Sequence, residues 1–250
     1  MKTPTDAFLA KIRNGIDNVH EIGQEYTPLE LMSRLSEVEE PNAPAALYVS
    51  GDVDLLRSGR RVSVVGTRNP SRSGIMRTRS LVKELVDRDI IVVSGLAEGI
   101  DTVAHRATIE FDGRTIAILG TPLNTCYPPK NADLKQLIEA QHVVVSQFKV
   151  GTPIQRRNFP LRNRTMALLS DATIIVEASE KSGTRHQGWE ALRLGRDVFI
   201  LENVINNPTL KWPCEMIKYG AQVLTRENVS QSLENLPIYT DRSNVDEIDF

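Results

Sequence analysis

An α/β fold with an extended Rossmann-like, doubly wound and mostly parallel sheet is predicted by three features of this chain of 250 residues. Six short runs rich in β-branched residues have the character of buried strands. Helical patterns separate them, so strand and helix alternate as they do in βαβ units. The loops of unusual composition follow strands rather than precede them, and in an open α/β sheet ligands bind outside the carboxyl ends of the strands.

The expected strands are 62–65, 90–93, 115–119, 143–145, 173–176 and 198–201. The expected helices are 76–86, 99–109, 132–140, 162–169 and 189–194. Before them the chain is polar, with a short helical pattern from Leu29 to Leu35. Pro28 suits the start of that helix, where its missing N–H is not needed, and Pro41 and Pro44 end the segment. Residues 1–43 are therefore read as a small helical N-terminal segment and 44–228 as the main domain. Residues 229–250 are read as a tail that turns acidic at Asp241, Asp246, Glu247 and Asp249.

Hydrophobic residues at 40% and charged residues at 25% are ordinary for a soluble globular protein. Residues 1–10 lack the apolar core of a secretion signal. No stretch approaches 18 uncharged apolar residues, so no membrane span is expected and a cytoplasmic location is. Cys126 and Cys214 form no disulfide framework, and His20, His105, His142 and His186 have no metal-ligand spacing. Neither a metal nor a cofactor is expected.

The net charge of −2 conceals an uneven distribution. Residues 55–83 hold eight basic side chains (Arg57, Arg60, Arg61, Arg68, Arg72, Arg77, Arg79 and Lys83) and no acid. Residues 140–170 hold five (Lys149, Arg156, Arg157, Arg162 and Arg164), again without an acid. Such runs can build one positive face on a protein of neutral total charge. The plainer alternative is a scatter of solvated arginines.

Four loops carry the candidate site. In Gly66-Thr67-Arg68 the glycine permits close approach of a ligand, the following helix offers N–H groups to an anion, and Arg68 can clamp a phosphate. Ser94-Gly95-Leu96-Ala97-Glu98-Gly99-Ile100-Asp101 follows the same logic, yet matches neither a dinucleotide fingerprint nor a P-loop. In Phe159-Pro160-Leu161-Arg162-Asn163-Arg164, with Arg156 and Arg157 just upstream, an aromatic stands among arginines. Single-stranded nucleic acid needs that combination, a stacking face for bases and cations for the backbone. Lys181-Ser182-Gly183 has the look of an anion cradle. Asp101 and His105 fall one helical turn apart and read as a structural pair. No nucleophile elbow or zinc-protease motif is present, and no catalytic residue is expected.

Taken in order, these motifs resemble the DNA-processing protein A (DprA/Smf) family. The matching strings are Val64-Val65-Gly66-Thr67-Arg68, Val93 through Asp101 with Ala104-His105, Ile118-Leu119-Gly120-Thr121, Tyr127-Pro128 and Asn131, Phe159 through Arg164, and Val176-Glu177-Ala178 followed by Lys181-Ser182-Gly183. The resemblance implies an extended Rossmann domain that binds single-stranded DNA, forms a homodimer and hands DNA to a RecA-type recombinase. The sequence departs from the family at Glu98, where arginine is usual, at Thr184 through Leu192, and at Glu202-Asn203. These departures are similar to a divergent branch that partners a phosphoribosyltransferase-type toxin in anti-phage defence. Thr184 followed by Glu190 also echoes the LOG-type nucleotide hydrolases, with the wrong spacing. That gives the alternative of a LOG-like nucleotide-binding protein or phosphoribohydrolase.

Overall fold

The computed structural model describes residues 23–32, 35–180 and 182–238. One nine-stranded sheet organises them. The strands are β1 (Gln24–Tyr26), β2 (Leu47–Gly51), β3 (Arg61–Gly66), β4 (Ile91–Ser94), β5 (Thr115–Leu119), β6 (Val143–Ser146), β7 (Ala172–Glu177), β8 (Asp197–Leu201) and β9 (Gln222–Leu224). The helices are α1 (Pro28–Met32), α2 (Arg72–Val86), α3 (Ile100–Glu110), α4 (Ala132–Gln141), α5 (Asn158–Leu168), α6 (Thr184–Arg193), α7 (Glu202–Ile205), α8 (Trp212–Lys218) and α9 (Val229–Glu234).

The strand order is β1-β2-β6-β5-β4-β3-β7-β8-β9. From β6 to β9 along this order every neighbouring pair is parallel, while β1 and β2 run antiparallel at one edge. The chain winds from β3 outward to β6 and then returns to place β7 on the other side of β3. The order therefore reverses between β3 and β7, and this switch point is where open sheets of this kind leave a crevice.

Strands buried on both faces explain the continuous apolar runs. Val62, Val64, Val92 and Ile174 pack on one side with α2 and α3. Ile91, Val93, Ile116 and Ile175 pack on the other with α5, α6 and α8. A smaller cluster beneath α4 joins Ala117, Leu119, Leu134, Ile138 and Val144.

Beyond the expected elements the structure adds β2, β9, α7 and α8 and starts α2 and α6 four and five residues earlier, and three further parts differ from the sequence expectation. The segment before residue 44 holds the helix α1, capped reciprocally by Thr27 and Glu30, but it also supplies β1 to the sheet. Gln24-Glu25-Tyr26 is too short and polar to signal a strand; at an edge, exposed polar side chains are what keeps a strand from pairing further. Residues 229–236 are no tail: Leu233 of α9 and Leu236 just after it are buried in the core cluster that also holds Leu81 and Leu85. The acidic residues from Asp241 onward lie outside the described residues. Finally, α5 starts at Asn158 rather than Arg162, because Pro160 falls in the first turn, where a helix tolerates it. Phe159, Arg162 and Asn163 consequently share one helical face.

Candidate nucleic-acid interface

The loops after β3, β4, β5 and β7 meet at the carboxyl rim and bind one another. The Thr67 amide donates to the Glu177 carbonyl at 2.7 Å, and the Ile100 amide donates to the Thr67 carbonyl at 3.1 Å. Asn131, buried after β5, donates to the Leu96 carbonyl and the Thr102 hydroxyl, both at 2.9 Å. The glycines make this packing possible. A Cβ on Gly66 would lie 2.5 Å from the Ile100 side chain, and one on Gly95 would lie 1.9 Å from the Arg162 guanidinium. Gly99 has φ +80°, and a Cβ there would meet the Thr67 carbonyl at 2.3 Å. These glycines thus serve contact between loops rather than approach of a ligand.

Arg162 holds the rim from below. Buried in α5, it donates to the carbonyl oxygens of Gly95 and, at 2.8 Å, Ile118, the ends of β4 and β5. Asp101 at the start of α3 is buried as well and acts on Arg162 electrostatically without a direct ion pair. Burial raises the pKa of the Asp101 carboxyl, while Arg162 and the amides of Ala97 and Gly95 act to lower it. Arg162 itself is lowered by burial, raised by Asp101 and lowered again by Arg68. Arg68 is itself exposed.

Several expected site residues change role. Arg162 is committed to backbone carbonyls and is not offered to a ligand. Arg164 is half occupied: its Nε lies 3.1 Å from Glu190, which also binds Arg193. Ser94 is buried, with its hydroxyl donating to the Val64 carbonyl at 2.7 Å. Asn163 accepts from Arg162 at 3.0 Å and faces the Gly183 carbonyl.

The N-terminus of α2 is partly served by the protein itself, since Ser71 caps the Gly74 amide at 2.9 Å and Glu177 accepts from the Ser71 amide at 2.8 Å. Ser182 caps Thr184 at 3.1 Å and Gly183 is exposed, whereas Lys181 lies outside the described residues. Asp101 and His105 do not pair; His105 binds the Thr115 hydroxyl at 2.7 Å. Glu98, the charge-reversed position, is in an ion pair with Lys130 at 2.9 Å.

The acid-free basic runs are not acid-free in space. Arg57 meets Asp54, Arg77 meets Glu177, Arg79 meets Glu110 and Lys83 meets Asp87; Arg61 is buried and donates to the Leu56 carbonyl. Arg68, Lys149, Arg156 and Arg157 are exposed and join no ion pair among the described residues. The half-buried Phe159 follows Arg156 and Arg157 in the chain. Its ring fills the space where a Gly120 Cβ would be, 2.7 Å away, and its centroid is 5.4 Å from that of Tyr127. A concavity of about 1230 Å³ beside the rim, between α2 and β9, offers Arg72, Arg77 and Arg226 but equally Glu84, Glu202 and Glu227. That balance does not suit a polyanion.

Fold and site together define a Rossmann-like α/β protein whose sheet rim carries exposed arginines and half-exposed aromatics. Comparison with known proteins makes the class specific. The sequence pattern of the family described as DNA recombination-mediator protein A matches residues 24–237, and the chain belongs to that family.

Among its relatives, the DNA processing protein DprA of Bacillus subtilis is 36% identical over 76% of this chain and 64% of its own length. Protein Smf of Escherichia coli is 40% identical over 77% of this chain and 51% of its own. The chain thus spans about half to two thirds of these relatives. In three dimensions, DprA of Streptococcus pneumoniae superposes with a TM-score of 0.74 at 30% identity, covering 93% of this chain and 78% of that one. DprA of Helicobacter pylori, described for its single-stranded DNA binding mode, gives 0.71 at 24% identity, covering 86% and 98%.

Proposed function

We propose that this protein binds single-stranded DNA at the carboxyl rim of its sheet and acts in DNA processing for recombination by binding, not by catalysis. One observation carries the reading: the half-exposed ring of Phe159, seated on Gly120 and against Tyr127, follows the exposed Arg156 and Arg157 directly in the chain. Aromatic faces with adjacent cations suit unpaired bases on a phosphate backbone, whereas duplex bases are already stacked on each other. Family membership and the Helicobacter relative support the same ligand. Arg68 adds a phosphate contact, and Gly66, Thr67, Ser94, Gly95, Arg162 and Asn163 hold the loops in place. Arg164, Ser182 and Gly183 complete the proposed rim.

The LOG-like hydrolase reading finds less support, since Glu190, the acid it would need, is engaged by two arginines. A homodimer, a cytoplasmic location and either a RecA-type recombinase or a toxin as partner belong to this reading as proposals. Sedimentation and pull-down with each candidate partner would decide among them.

Fluorescence anisotropy with single-stranded and duplex oligonucleotides at two salt concentrations tests the main proposal. Tighter binding of the single strand, weakening as salt rises, is expected. Equal binding of duplex, or binding of neither, would overturn it.

A further inference from the structure

We propose that Tyr127 is the exposed base-stacking platform of this site, with Phe159 as the pedestal that holds it. The inference rests on the DNA-binding reading above and names a residue for it. It starts from the different settings of the two rings. Phe159 is half-buried, with one face filled by the position of Gly120 and its flank by Tyr127. Tyr127 is 47% exposed. Its ring is tilted at 54° to that of Phe159 with centroids 5.4 Å apart, a separation at which aromatic pairs attract.

The loop that carries Tyr127 is fastened at both ends. Thr121 donates to the Thr125 carbonyl at 2.7 Å, and Asn131 anchors the far side to the β4 loop at 2.9 Å. A large apolar ring held in water by a fixed loop is ready to bind without ordering cost. Lys130, three residues on and exposed, is held by Glu98 at 2.9 Å, whereas Arg156 and Arg157, which precede Phe159 in the chain, are exposed and free of ion pairs among the described residues and so available to phosphates. A flat hydrophobic face together with free cations recognises an unstacked nucleobase whose phosphates run past it.

The test uses the full chain with oligodeoxythymidine and with a sugar–phosphate oligomer of equal length lacking bases. Tyr127→Ala should weaken oligodeoxythymidine binding by about 5- to 100-fold, the scale of one lost base–aromatic stack, and leave binding of the baseless oligomer unchanged. Tyr127→Phe should retain the affinity of the unaltered protein. An unchanged affinity in Tyr127→Ala, with Arg68→Ala still weakening both ligands, overturns the platform and leaves the DNA reading standing. Equal weakening of both ligands by Tyr127→Ala also overturns it, because the ring would then act through the loop rather than on a base. If the unaltered protein binds neither oligomer, both readings fail. A melting temperature close to that of the unaltered protein is expected for both variants, since the ring is half in water.

Discussion

The carboxylate of Glu177, at the end of β7, accepts hydrogen bonds from both the amide and the hydroxyl of Ser71, at 2.8 and 2.7 Å. Ser71 is in turn the N-cap of α2, bonding the Gly74 amide. The relationship spans the switch point between β3 and β7, and it puts a protein carboxylate where a helix N-terminus would otherwise attract a ligand's anion. Gly74 is needed for it, since a Cβ there would lie 2.1 Å from the Glu177 carboxylate. Glu177→Ala should cost about 1.5–3 kcal/mol of stability, the range for a hydrogen bond to a charged group, and should free Arg77 of its 3.1 Å partner. Urea unfolding checks it. A variant as stable as the unaltered protein would show that water replaces the carboxylate fully.

Arg162 and Asp101 are both buried beneath the rim and act on each other electrostatically without a direct ion pair. Arg162→Met deprives Asp101 of that interaction and the Gly95 and Ile118 carbonyls of a donor. A buried polar group left without its partner typically costs about 1–3 kcal/mol. The double variant Arg162→Met with Asp101→Asn should lose less than the single one, and comparing their unfolding midpoints measures the coupling.

The exposed arginines should separate by their partners. Arg68→Ala is expected to weaken single-stranded DNA binding by about 1–3 kcal/mol, the scale of a lost charged contact, with little change in melting temperature. Arg164→Ala should cost less affinity, because Glu190 already holds its guanidinium. Glu190→Gln should release Arg164 and leave binding equal or tighter. Anisotropy titrations of the three variants would rank them, and a larger loss for Arg164 than for Arg68 would contradict the assignment.

His105 gives the fold a pH dependence. Burial, helped by the nearby His142 charge and by Arg162 and opposed by a hydrogen bond to Ser94, pushes its pKa from 6.5 down to about 3. Between these values the unfolded chain binds a proton that the folded chain refuses. Stability from this residue is therefore fully present above the unfolded value and is lost as pH falls through the window. The loss should be about 1 kcal/mol between pH 6.5 and 5.5. His105→Gln should lack that component, which urea midpoints measured across the range would reveal.

By itself the sequence determined the α/β class, the six inner strands to within a residue or two, and the location of the loops at the strand ends. Runs such as Val62–Val65 and Thr115–Leu119 are legible because burial on both faces leaves an uninterrupted apolar record in the chain. It also carried the motifs of the family, including Tyr127, although nothing in the local pattern marked that residue as exposed beside Phe159.

Only the tertiary structure decided which charges face water. Arg77 and Glu177 are 100 residues apart in sequence and 3.1 Å apart in space, and Arg164 meets Glu190 at the same distance. An acid-free stretch says nothing of acids that neighbouring strands bring alongside it. Nor could the sequence assign Arg162 to the interior, because its partners are backbone carbonyls at the ends of β4 and β5, and every residue supplies such an oxygen. Which of them converge is set by the strand order, and that order comes from how the crossovers pack.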